Sequence, residues 1–156
     1  ENVAMYKPGA SREEIMEALR QARCEDILEK LPNGVDSVIG ARGVYLSGGE
    51  MQRIALARAI LKDAPIVLLD EATAFADAEN EYLIQRALDV LLRGKTVLMI
   101  AHRLQTIVHA DQIIVMQRGG IAEQGTHEDL MQRQGVYAKM YHEYENSISW
   151  KIGGRA

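Results

Sequence analysis

The chain contains one cysteine, Cys24, in 156 residues. An internal disulfide is therefore excluded, and the sequence fits a reducing compartment. No apolar run approaches the roughly 18–20 residues needed to cross a bilayer. No secretory leader pattern opens the chain. Neither sign of charge dominates: the net charge is −4, which provides no electrostatic footprint for nucleic acid. The Cys/His spacings of zinc sites are missing, as are internal repeats and low-complexity segments. What remains is a sequence that is 47% hydrophobic, enough for the core of one ordinary domain.

Within that composition, three segments carry chemistry. Leu46-Ser47-Gly48-Gly49-Glu50 precedes an amphipathic run from Met51 to Leu61. A Ser-Gly-Gly turn that opens a helix offers free backbone N–H groups and the positive end of the helix dipole, and both favour an anion. Ile66-Val67-Leu68-Leu69 is a short apolar strand that delivers two carboxylates, Asp70 and Glu71. Such a pair suits Mg²⁺ and the activation of water. Val97-Leu98-Met99-Ile100-Ala101 is a second apolar strand and delivers His102.

Each piece has a plain alternative. Ser-Gly-Gly also starts ordinary helices, paired carboxylates are commonly solvated, and a lone histidine is commonly a satisfied residue at the edge of a core. Asp77 reads as a helix N-cap. The order and spacing of the pieces, rather than any one of them, point to a nucleotide site. His109, His127 and His142 have no comparable context and read as surface residues.

Taken together, these motifs resemble the C-terminal half of the nucleotide-binding domain of an ATP-binding-cassette (ABC) transporter, of the exporter type. Leu46–Glu50 matches the signature motif and Ile66–Asp70 matches Walker B. Ala74-Phe75-Ala76-Asp77 stands where the D-loop stands, and Gly120 to Leu130 resembles the closing turn and helix. The resemblance implies that Ser47, Gly48 and Gly49 contact the γ-phosphate of an ATP held by a partner domain. It gives Asp70 an Mg²⁺ role through water, Glu71 the polarising of the attacking water, and His102 a γ-phosphate contact. Asp77 would add a contact across the dimer. The implied cofactors are ATP and Mg²⁺. The implied partners are a second nucleotide-binding domain and transmembrane domains, at the cytoplasmic face of the cell membrane, with this piece itself soluble.

Two departures bear on function. No Gly-x-x-x-x-Gly-Lys-Ser/Thr occurs: Gly94-Lys95-Thr96 is a false match, because Asp89 stands where the first glycine would be and a strand follows instead of a helix. The chain is expected to be a fragment lacking the Walker A and Q-loop half, and inactive alone. In addition, Ala41, Glu50 and Ala74–Asp77 differ from the commonest exporter residues. The combination is similar to a subset that includes siderophore and heavy-metal-complex transporters.

The expected fold class is α/β: a partial P-loop NTPase fold with a helical subdomain and an incomplete, mainly parallel sheet. Residues 1–64 read as the helical part, 65–145 as the C-terminal part of the ATPase core, and 146–156 as a loosely held tail. Ser11 with Glu14 forms a capping-box pattern. Asp26 with Glu29 reads as the cap of a second short helix, Ser47 as the cap of the signature helix to about Lys62, and Asp63-Ala64-Pro65 as its break. The strand at 66–69 is expected to be buried on both faces. Helices follow from Asp77 and over 104–109. Arg118-Gly119-Gly120 reads as a hairpin turn, Thr126 as a further cap, and Val136–Tyr144 as a helix.

The resemblance places a missing strand between the His102-bearing strand and Gln112–Met116. Unpaired edges there predict self-association of the fragment. The alternatives are the C-terminal lobe of an SMC-type DNA-maintenance ATPase and a non-catalytic scaffold. The first calls for coiled-coil heptads that residues 11–31 do not provide. The second sits poorly with intact Asp70, Glu71 and His102.

Overall fold

The computed structural model describes residues 2–40, 43–70, 78–101 and 103–153. The chain divides into two compact units, residues 1–100 and 101–156.

In the first unit, a 3-10 turn over Val3–Tyr6 leads to α1 (Arg12–Gln21). The capping box forms as the sequence requires: the Ser11 hydroxyl accepts from the Glu14 N–H at 3.2 Å, and the Glu14 carboxylate accepts from the Ser11 N–H at 2.8 Å. Helix α2 (Glu25–Lys30) is not capped by Asp26. Its N-cap is Cys24, with no side-chain cap bond, because the Asp26 carboxylate is engaged elsewhere, by Arg53. A 3-10 turn at Gly34–Asp36 fills the Asn33-Gly34 position.

Helix α3 (Gly48–Lys62) has the predicted limits. Ser47 caps it, and Asp63 closes it in the left-handed region (φ 51°), donating to the Ala59 and Ile60 carbonyls. Pro65 then starts the chain into β1 (Ile66–Asp70). Helix α4 (Ala78–Leu92) buries Ile84, Ala87, Leu88 and Leu91, with Leu83 half-buried. Gly94 (φ 70°) turns the chain into β2 (Thr96–Ile100). The core of the unit joins Leu19 and Ile27 to Ile54 and Ala57 of α3, Leu69 of β1, and the α4 stripe.

β1 and β2 are parallel and in register from Ile66↔Thr96 to Asp70↔Ile100. The expectation that β1 is buried on both faces does not hold. Leu69 is buried, but Ile66 is 61% exposed and Leu68 72%, and across the pair Leu98 and Ile100 are each 59% exposed. Leu69 joins the helix-covered core, whereas nothing among the described residues covers the Ile66/Leu68/Leu98/Ile100 face. An apolar run identifies a strand meant to be sandwiched but does not say which part of a protein supplies the cover.

In the second unit, a short 3-10 turn over Leu104–Ile107 precedes β3 (Ile113–Gln117) and β4 (Gly120–Gly125). These form an antiparallel hairpin. Its two-residue turn has both members at positive φ, Arg118 at 51° and Gly119 at 78°, the geometry that matches strand twist. Thr126 caps α5 (His127–Arg133) with Asp129 as its box partner. Helix α6 (Val136–Gly153) runs beyond the expected end at Tyr144. Ile113, Val115, Leu130 and Tyr137 form the core of this unit.

Glu123 does what no residue of α6 itself can do: its carboxylate accepts the Val136 and Tyr137 N–H groups at 3.0 and 2.8 Å. Those donors have no partner inside the helix. The two backbone bonds hold the Glu123 carboxyl below its ordinary pKa. A Cβ at position 135 would overlap that carboxylate, which accounts for Gly135. Glu123→Gln is expected to speed amide hydrogen exchange at Val136 and Tyr137 and to leave the α3 amides unchanged. Unaltered exchange at 136 and 137 would contradict the capping role.

Candidate functional site

The signature turn is a well-formed helix start. The Ser47 hydroxyl accepts from the Glu50 N–H at 3.2 Å, and the Glu50 carboxylate accepts from the Ser47 N–H at 2.8 Å. The first bond of the helical ladder is Met51 N–H to the Ser47 carbonyl, at 2.9 Å. The Gly48 and Gly49 N–H groups therefore lie ahead of the ladder, at the positive end of a 15-residue helix. Ser47 and Gly48 are exposed and Gly49 is buried. This is an anion-binding geometry. Glu50 brings a negative charge into the same turn. Lys30 meets it at 3.2 Å, and the Ser47 N–H, followed by Lys30, lowers its pKa.

What fixes this turn in space is Arg53, one turn further along α3. It is 1% exposed and forms a bidentate pair with Asp26 at 2.6 and 2.9 Å, while also donating to the Arg23 carbonyl. Burial works against the guanidinium charge, but the hydrogen bonds and field of Asp26 more than offset it, so the Arg53 pKa ends above its usual value. The Asp26 pKa is correspondingly lowered, by the Arg53 hydrogen bonds first. Neither residue was read from sequence as part of the site. The available signal was an arginine on the inward stripe of α3, spaced with Gly49, Ala57 and Leu61.

The adjoining Cys24 thiol is pushed up to about 12 by burial and stays protonated and inert.

Asp70 ends β1, is exposed, and lies in register with Ile100 at the end of β2. The two strands thus finish together at the carboxyl edge of a parallel pair, where open α/β sheets bind ligands. Glu71, Asp77 and His102 lie outside the described residues. Among the described residues, no hydrogen bond or ion pair links Asp70 to Ser47, Gly48 or Gly49. Among the described residues, no group of three or more His, Cys, Asp or Glu side chains could hold a metal.

Of the histidines read as surface residues, His109 and His142 are exposed. His127 is not. It is half-buried, 2.8 Å from the Tyr137 hydroxyl through Nδ1, and edge-on to the rings of Tyr137 and Tyr141. It sits at a helix start facing the aromatic side of α6, so it packs rather than projects.

Comparison with known proteins supplies the family. Residues 3–74 match the family model described as ABC transporter. Over 140 residues the chain is 53% identical to an ATP-dependent lipid A-core flippase of Legionella pneumophila, covering 90% of this chain and 24% of that protein. Over 141 residues it is 55% identical to a mycobactin import ATP-binding/permease protein of Mycolicibacterium smegmatis, covering 90% of this chain and 16% of that protein. The solved structure of a bacterial Atm1-family ABC exporter with ATP bound superposes with a TM-score of 0.78 at 44% identity, covering 91% of this chain and 25% of that one. The chain belongs to the ABC transporter family and carries part of its ATPase domain. It spans a quarter or less of the length of these relatives.

Asp26→Ala would leave the Arg53 charge buried without its partner. Unpairing a buried ion costs about 3–5 kcal/mol. Because the Asp26 side chain is 45% exposed, solvent screening reduces this to about 1–3 kcal/mol. The pH dependence follows from the lowered Asp26 pKa. The pair's contribution is complete above about pH 4, the ordinary aspartate value, and is lost as pH falls through the lower folded value. Thermal unfolding of wild type and Asp26→Asn should therefore differ at pH 7 and converge in acid.

Proposed function

We propose that this chain is the signature-bearing part of the ATPase domain of an exporter-type ABC transporter, acting at the cytoplasmic face of a membrane through a dimer of such domains. The observation that carries this reading is the start of α3, where the Gly48 and Gly49 N–H groups stand unengaged by the helix within a family whose members use ATP. Ser47, Gly48 and Gly49 are the phosphate contacts. They act on ATP held by the partner domain.

The donor chemistry fits Mg²⁺. Asp70 offers a hard, exposed carboxylate at a strand end, and Mg²⁺ prefers one or two carboxylates plus phosphates and water. The ion would neutralise phosphate charge as the terminal phosphoryl group leaves. Glu71 orients and deprotonates the attacking water. His102 donates to the γ-phosphate, and Asp77 contacts the opposite domain. Relatives of similar identity are named for different cargoes and directions, so the residues of this chain describe a motor and not a cargo. Helices of ten and six residues before the signature give no support to the coiled-coil approach of an SMC-type ATPase.

Two outcomes test this. The purified 156-residue chain should hydrolyse no ATP above background, because nothing in it replaces a P-loop lysine and its anion nest. In the full-length transporter, Glu71→Gln should lower turnover by about 10²–10⁴, the worth of a positioned general base, and His102→Ala should be severely impaired. ATP turnover by the isolated chain that Glu71→Gln abolishes, or near-normal hydrolysis in both transporter variants, would contradict the assignment.

The open face of β1 and β2 bears on partners. With Ile66, Leu68, Leu98 and Ile100 exposed on one face, the isolated chain is expected to self-associate in light scattering, in a form unrelated to the ATP-bound dimer. Leu68→Lys with Leu98→Lys should disperse it. A monodisperse wild-type monomer would contradict this.

A further inference from the structure

The second glycine of Ser-Gly-Gly has a neighbour that phosphate binding does not require. Gly49 is buried, unlike Ser47 and Gly48. A Cβ built on it would stand 2.6 Å from both Cβ and Cγ of Asn80 and 3.0 Å from Oδ1. Carbon atoms do not approach so closely, so any side chain at 49 must displace something. One of the two nearest atoms is the Cβ of Asn80, and no change of rotamer can move it. The load therefore falls on the backbones of α3 and α4. Asn80 lies in the first turn of α4, three residues after Asp77 in sequence. The two helices share the core of Ile54, Ala57, Ile84, Ala87 and Leu88, so their spacing is set by packing further along and cannot simply relax at one end.

We propose that Asn80 is a positioning residue for the phosphate-binding turn. The root of its side chain fills the notch that Gly49 leaves, and this fixes the start of α3 against the start of α4. Glycine at 49 is then required for an internal steric reason, whereas Gly48 is exposed. The link to catalysis rests on the function proposed above; the steric contact does not.

The test is a cycle of Gly49→Ala, Asn80→Gly and the double variant. Thermal midpoints are read on the 156-residue chain, and ATP turnover per folded protein is read on the full-length transporter. Gly49→Ala is expected to lower the midpoint by about 5 °C, the effect of overpacking in a domain of this size. It should also lower turnover by about tenfold or more, since a misplacement of about 1 Å can cost up to 10²-fold. Adding Asn80→Gly should recover at least half of both losses, because it removes the atoms that clash. Wild-type behaviour of Gly49→Ala in both assays would overturn the proposal. So would a double variant whose midpoint recovers while its turnover stays as low as that of Gly49→Ala, because the need for glycine would then lie in the approach of the ligand. If the unmodified transporter hydrolyses no ATP, the proposed function fails, and the midpoint cycle still decides the contact.

Discussion

A guanidinium occupies a position on α3 where an aliphatic side chain would ordinarily sit, and the candidate site depends on it. Arg53 is enclosed on the inward stripe of the helix and is tolerable there only because Asp26 and the Arg23 carbonyl meet it. That arrangement fixes α3 against the α2 region six residues after Ser47. The apolar residues of the same stripe, Ile54, Ala57 and Leu61, place the helix against its neighbours but allow some sliding. A bidentate pair does not, because both its bonds are directional. The turn proposed to bind phosphate therefore starts from a rigid base, which is what a preorganised anion site needs.

The same helix start carries an electrostatic tension. The dipole and the free N–H groups favour an anion, yet Glu50 places a carboxylate in the same turn. That carboxylate is turned back onto the Ser47 N–H and toward Lys30. It stabilises the helix start and leaves the Gly48 and Gly49 donors untouched. Capping thus uses N–H groups other than those of Gly48 and Gly49, the donors proposed to meet the ligand.

Much of this was legible in the chain because it is local. Ser11 with Glu14, Ser47 at the head of an amphipathic run, and Arg118-Gly119-Gly120 all act within a few residues, and each forms the element its pattern predicts. What was not legible depends on distance. Asp26 looked like a cap because its partner lies 27 residues away. His127 looked like a surface residue because Tyr137 and Tyr141 reach it from the next helix. β1 looked buried on both faces because its composition is that of a sandwiched strand, whereas Ile66 and Leu68 are exposed. The close approach of Asn80 to Gly49 was not legible either, because it joins residues 31 positions apart.

Asp70 stands at a sheet edge, the phosphate donors stand at a helix start, and no described bond joins them. The central claim is that those donors serve a nucleotide held by another domain. It is tested most directly by hydrogen exchange across residues 46–50 in the full-length transporter carrying Glu71→Gln, with and without ATP and Mg²⁺. Marked protection of the Gly48 and Gly49 amides on adding nucleotide is the predicted result. Exchange there that stays the same while nucleotide is demonstrably bound would contradict it.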